Sequence, residues 1–206
     1  MALAEEIRAH DLINPYADII IESIRSAWME WLGSPFFGKW SSRGRATFVW
    51  ETVMDSLKDK FKGNRDVYIL DKGTTVLFVV KQEIVFRFKL ADKSGRSKNV
   101  QTKSAKSFHD PELDYNLLAE GGIASDIPRV EVVYSLNKTA TQIDNIKMIA
   151  RDKSALVWNT SLVSTQSSFV ELGNISNNTV DSEPKAKRRF KGKSTETVRK
   201  KAVGEM

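Results

Sequence analysis

The stretch from Thr75 to Leu90 sets the terms on which the rest of the chain can fold. Thr75 to Val80 is a continuous apolar run of the kind found in a buried strand, and Ile84 to Leu90 alternates. The alternation sends Ile84, Phe86, Phe88 and Leu90 to one face and Val85, Arg87 and Lys89 to the other, so one face is expected to be core and the other cationic. Only Lys81, Gln82 and Glu83 separate the two runs, which predicts a tight hairpin. From Lys89 the chain carries Lys93, Arg96, Lys98, Lys103 and Lys106 through Ser, Gly, Asn, Gln and Thr, a composition that does not pack a core. A long basic loop is therefore expected, and with it a binding surface.

Charge is segregated along the chain. Residues 1–80 carry 10 basic and 11 acidic side chains, residues 81–106 carry 8 and 2, residues 107–182 carry 5 and 10, and residues 183–206 carry 9 and 3. Two cationic segments thus sit on a neutral to acidic body, a pattern that suits an anionic partner such as nucleic acid as well as a plain solvated loop and tail. At 206 residues and 41% hydrophobic composition, one domain of ordinary size is expected over residues 1–160. A polar Ser/Thr/Asn-rich linker follows over 161–182, then a basic disordered tail over 183–206.

Cysteine is absent, which excludes disulfides, thiol nucleophiles and thiolate metal sites. Glu5, Glu6 and Arg8 stand where a signal peptide needs an apolar core, and Glu22, Arg25 and Glu30 interrupt the longest apolar stretch. A cytoplasmic protein without membrane association is the expectation, and the Asn-x-Ser/Thr triplets at Asn137, Asn159, Asn174 and Asn177 carry no weight.

Asn14 and Pro15 read as an N-cap and first-turn proline. Ile20, Ile24, Trp28 and Trp31 then recur at helical spacing up to Gly33 and Pro35. Phe48, Val49, Val53, Leu57 and Phe61 mark a second helix after Gly44, closed by Gly63. Four of the five tryptophans fall in this region. At helical spacing such rings serve a core or a partner interface, with Trp28 and Trp31 the candidates for a protein-partner or homodimer contact, and aromatic rings can also stack on unpaired bases. Val67–Asp71 is a further strand, followed by a turn at Lys72 and Gly73. Asp110 and Pro111 predict the start of a short helix using Leu113, Leu117 and Leu118 and ending at Gly121 and Gly122. Strands are expected at Arg129–Leu136, Ile143–Ala150 and Ala155–Trp158. The short connections between these strands favour an antiparallel meander, and the fold class is α+β, with two N-terminal helices packed on a mostly antiparallel sheet of five or six strands.

Catalytic signatures are scarce. The two histidines, His10 and His109, form no paired-histidine motif, and neither a phosphate-cradling glycine loop nor a nucleophile elbow occurs. His109, Asp110, Glu112 and Asp114 form an oxygen-rich cluster that reads more simply as a helix cap and first-turn acids. The remaining enzymatic option is a metal-dependent nuclease in which Asp71 and Glu83 hold a metal beside Lys81. Glu83 lacks a lysine two positions on, having Val85 there instead.

A nonenzymatic binding module asks for less. Arg87, Lys89, Lys93, Arg96, Lys98, Lys103 and Lys106, with Lys187, Arg188 and Arg189 of the tail, supply a row of cations whose affinity for phosphates is independent of sequence. The leading expectation is an intracellular nucleic-acid-associated accessory or regulatory protein, DNA or RNA undetermined, requiring no cofactor. The alternatives are a protein-interaction module of a toxin/antitoxin or defence-type assembly, and the nuclease.

Overall fold

A computed structural model of the chain describes residues 3–98, 102–110, 112–113 and 115–164. The expected tail, including Lys187, Arg188 and Arg189, and nearly all of the linker lie outside the described residues.

Six strands form one sheet in the order of the chain: β1 (Val67–Asp71), β2 (Val76–Val80), β3 (Ile84–Leu90), β4 (Arg129–Leu136), β5 (Ile143–Asp152) and β6 (Ala155–Ser161). Each neighbouring pair is antiparallel except β3 and β4, which run parallel with Phe86 opposite Val130 and Leu90 opposite Tyr134. The sheet is thus mostly antiparallel, as expected, with β4, β5 and β6 forming the expected meander, and two three-stranded meanders are joined by one crossover, which was not expected. A parallel pair needs its connection carried back along the sheet, and the 38 residues between β3 and β4 do this with α4 (Lys103–His109) and α5 (Asn116–Glu120). The supposed loop therefore contains a helix. Thr102 caps α4 by accepting from the Ala105 amide at 3.1 Å, whereas the helix expected to start at Asp110 is the shorter α5, which begins at Asn116 after Tyr115 with no side-chain cap; Asp110 sits instead at the C-terminal end of α4 in an extended conformation.

The other face is covered by α1 (Glu6–Ile13), a 3₁₀ turn (Asn14–Tyr16), α2 (Ala17–Gly33) and α3 (Ser42–Phe61). Asn14 continues the helical backbone and caps nothing; α1 precedes it, burying Ala9, Leu12 and Ile13. Pro15, which has no amide to donate, tightens the chain into the 3₁₀ turn. α3 starts at Ser42, with Ser41 accepting from the Gly44 amide. Its face of Val49, Val53, Leu57 and Phe61 meets the sheet at Phe78, and Phe78 stacks on Phe86 at 4.9 Å.

Because helices lie on both sides, β2 is buried at every position, as its unbroken apolar run predicts. Leu70, Leu77, Val79 and Val85 form a second, smaller core with Phe108, Tyr115, Leu118, Ile123 and Ile127. The expected cationic face of β3 is therefore largely interior: Val85 is core and Arg87 is 5% exposed. Trp28 and Trp31, at 4% and 2% exposure, belong to the main core, with Trp28 Nε1 donating to the Thr141 carbonyl, and neither presents a surface for a partner.

The hairpin between β2 and β3 places Lys81 and Gln82 at φ of 51° and 57°, a left-handed backbone that L-residues adopt at a cost. Gln82→Gly is expected to stabilise the fold by about 0.5–1 kcal/mol after glycine's own entropy loss, as a shift of the urea midpoint at constant slope.

Candidate nucleic-acid interface

Two clefts carry several cations, and they differ in how far those cations are already engaged by carboxylates. The first, of about 240 Å³, lies between the opening turns of α3 and the ends of β3 and β4. Its walls are Arg43, Ala46, Thr47 and Trp50 of α3, Thr74, Phe88, Lys89 and Leu90, Lys98, and Tyr134. The α3 residues at positions 43, 46, 47 and 50 share one helical face, which is why the helix presents them together. Among the described residues, no carboxylate lines this cleft. Among the described residues, Arg43, Lys89 and Lys98 form no ion pair. Lys89 is half-buried, and burial followed by the repulsion of Arg87 holds its ammonium below the usual lysine range, with Glu131 opposing. Burial likewise pushes the Tyr134 phenol up, partly offset by nearby Arg45.

The second cleft, of about 290 Å³, lies on the crossover side over His109 and Arg151, edged by Lys106, Asp110, Leu113 and Lys153. Here Lys153 and Arg151 are engaged. Lys153 Nζ reaches Glu112 at 2.8 Å and Asp110 at 4.0 Å. Arg151 donates to Ser97 Oγ at 3.1 Å, lies 3.2 Å from His109 Nε2 and donates to the Lys153 carbonyl. Beneath it Arg87 Nε donates to Glu131 Oε1 at 2.9 Å, Arg87 Nη2 approaches His109 Nε2 at 3.0 Å, and the guanidinium lies 3.8 Å over the Phe108 ring. Burial alone would raise the Glu131 carboxyl, but Arg87 and then His109 outweigh it and hold the group below its ordinary value.

His109 is the titrating member of this network. Burial, reinforced by Arg87, Arg151 and Arg129 against Glu131, pushes its imidazole down from 6.5 to about 4, so near neutrality Nε2 is free to accept from the two guanidinium groups. A folded-state value below the unfolded one means the unfolded chain binds the extra proton between about pH 4 and 6.5, so this contribution is present above 6.5 and lost on acidification through that window. The loss should reach about 3 kcal/mol. His109→Gln, whose carbonyl can accept the same bonds, should be the less pH-sensitive protein when denaturation is followed from pH 7 to 4.5; parallel stability profiles for the two proteins would contradict this.

The sequence-predicted cations separate accordingly. Lys98 meets Arg43 in the first cleft, which Lys89 borders with its side chain turned to the Arg87 face of the sheet. Lys93, Lys103 and Lys106 are exposed, and Lys106 edges the second cleft. Arg96 is tied to the Asp92 turn, donating to Ser94 Oγ at 2.8 Å and to the Ser154 carbonyl, while Asp92 accepts from the Ser94 and Arg96 amides. Arg87 is a buried structural cation, not an exposed phosphate contact. Asp71 and Glu83 lie at opposite ends of β2, since Asp71 pairs with Val76 and Glu83 follows Val80, about 13 Å apart by strand rise. Each is bound elsewhere, Asp71 to Lys58 at 2.6 Å and Glu83 to Arg8. Among the described residues no group of acids and histidines is arranged to hold a metal ion, and no helix is long and apolar enough to cross a membrane.

Arg43 and Trp50 were missed because they stand on a helix remote in sequence from the basic stretch. Glu131 carried a visible signal, a charge set between Val130 and Val132 in an apolar run, which calls for a buried counter-charge, whereas Arg151, beside Asp152 at the end of β5, carried none. Compared with known proteins, the chain matches no family model, no curated relative and no solved structure.

Proposed function

We propose that this is a nonenzymatic, nucleic-acid-associated accessory or regulatory protein that holds phosphate backbones at the carboxyl end of β3, with Arg43 and Lys98 in the first cleft and Lys89 on the opposite face of the strand, the exposed Lys93, Lys103 and Lys106 and the tail cations Lys187, Arg188 and Arg189 extending the contact. One observation carries the reading: Arg43 and Lys98 meet at a cleft lined, among the described residues, by no carboxylate, and Lys89, which borders it from the opposite face of β3, is half-buried with no ion-pair partner among those residues. A buried charge of that kind is costly unless an anion arrives to meet it, and phosphate is the anion for which counterion release rewards such a row. The second cleft supports the reading less, because two of its cations, Lys153 and Arg151, already have a carboxylate and an imidazole partner.

The test is binding of the full chain to single- and double-stranded DNA and RNA at low ionic strength with magnesium present, the products being checked on a gel. Retained complexes with intact nucleic acid are expected. Failure to bind all four would overturn the reading, and magnesium-dependent cleavage would replace it with an enzymatic one.

A further inference from the structure

Between Glu30 and Glu51 the chain has no acidic residue, yet it carries Lys39, Arg43 and Arg45 interleaved with Trp31, Phe36, Phe37, Trp40, Phe48 and Trp50. The structure splits these aromatics into two groups. Trp31 is core, whereas Phe36, Phe37 and Trp40 in the connection between α2 and α3 are 37%, 47% and 46% exposed. Three large rings side by side at that exposure leave apolar area in water that a core would have taken up. They are not loosely held: Phe36 stacks on Trp40 at 4.2 Å and 23°, and Trp31 supports Phe37 and Trp40 from beneath at 6.3 Å each.

The platform adjoins the cleft. Trp40 lies against the first turn of α3, so close that a Cβ on Gly44 would meet its ring at 3.1 Å and its Cβ at 3.2 Å. Arg43, the neighbour of that glycine, lines the cleft, as does Trp50 two turns further along the helix. The opening of α3 therefore carries stacked aromatic faces on one side and unneutralised cations on the other. A duplex can use only the cations, because its bases are already stacked on each other; a single strand can use both.

Resting on the phosphate-binding reading above, we infer that this composite surface selects single-stranded nucleic acid, with backbone phosphates at Arg43 and Lys98 and unpaired bases stacked on Trp40, Phe36 and Phe37. The absence of carboxylates across the segment supplies the charge complementarity, and DNA and RNA strands share the chemistry. The order of contact along the strand follows the helix, base at Trp40 beside phosphate at Arg43.

The experiment titrates the full chain into labelled oligonucleotides of about a dozen nucleotides, DNA and RNA separately, as single strands and as blunt duplexes of the same sequence. Single strands should bind at least about tenfold more tightly, with quenching of tryptophan fluorescence. Trp40→Ala should weaken single-strand binding by about tenfold or more while leaving duplex binding unchanged, and Trp40→Phe should keep the affinity and lose much of the quenching. Phe37→Ser, at the most exposed ring, should weaken single-strand binding in the same direction and serves if Trp40→Ala fails to fold. Equal or tighter duplex binding, or indifference to these substitutions, overturns the single-strand assignment while leaving phosphate binding standing; no binding of either form removes both. Self-association of the chain that Phe37→Ser abolishes would instead assign the platform to a second copy and also overturn the inference.

Discussion

Glu131→Gln is expected to cost about 3–5 kcal/mol of folding stability, among the largest losses any single substitution in this chain should produce. Glu131 is 1% exposed on β4, and the Arg87 guanidinium that it meets at 2.7 Å is itself buried beneath α4. Removing the negative charge leaves that guanidinium desolvated against Phe108, with His109 as its remaining contact in the network. The penalty is that of an uncompensated buried charge and exceeds the net worth of the pair. Replacing both partners, Arg87→Met with Glu131→Leu, should recover most of the loss, because apolar side chains of similar volume need no counter-charge. Urea denaturation at pH 7 reads both, and a loss below about 1 kcal/mol for Glu131→Gln would show that the network is not what docks the crossover onto the sheet.

The second large effect concerns binding. Exchanging Arg43, Lys89 and Lys98 together for alanine should weaken the affinity for a phosphate backbone by about a hundredfold at low ionic strength, since three contacts and the counterions they release are lost at once. Stability should move the other way at one of these positions. Lys89 holds an ammonium in a half-buried setting with Arg87 nearby and no ion pair, so Lys89→Met should raise stability by about 0.5–2 kcal/mol. A residue that costs the fold while it serves binding is the pattern expected of a functional cation. If Lys89→Met both destabilises the protein and leaves binding intact, Lys89 belongs to the packing instead.

Most strands were legible in the sequence because their signals are local. The unbroken Thr75–Val80 run, the alternation over Ile84–Leu90 and the limits of β4 reappear nearly residue for residue. The parallel pairing of β3 with β4 was not legible, because a crossover is a fact about where a segment lies and not about its composition. The stretch between Lys93 and Lys106 is polar enough to resemble a bare loop, yet it leads into α4, whose Ser107, Phe108 and His109 pack on the sheet. Once the crossover is in place, the inward charges of β3, β4 and β5 become a buried network. Arg87 accordingly passes from the expected surface row to the interior, and Trp28 and Trp31 pass from candidate partner contacts to core.

The cleft was half legible. Lys89 and Lys98 stood in the predicted basic stretch, whereas Arg43 and Trp50 reach the same cleft from α3, more than 35 residues earlier in the sequence. Periodicity gives the helix but not which of its faces meets the end of β3. The exposed rings at Phe36, Phe37 and Trp40 were visible as letters in a connection, but their exposure depends on Trp31 being buried beneath them.

The most direct test of the cleft as a phosphate-backbone site is the slope of log affinity against log salt for one single-stranded oligonucleotide, measured for the full chain and for its Arg43→Ala, Lys89→Ala, Lys98→Ala variant. The variant should give a slope shallower by about 2, the release of about three counterions from a single strand. Identical slopes, with the wild-type protein binding well, would place the phosphate contacts elsewhere on the chain and contradict the assignment of the cleft.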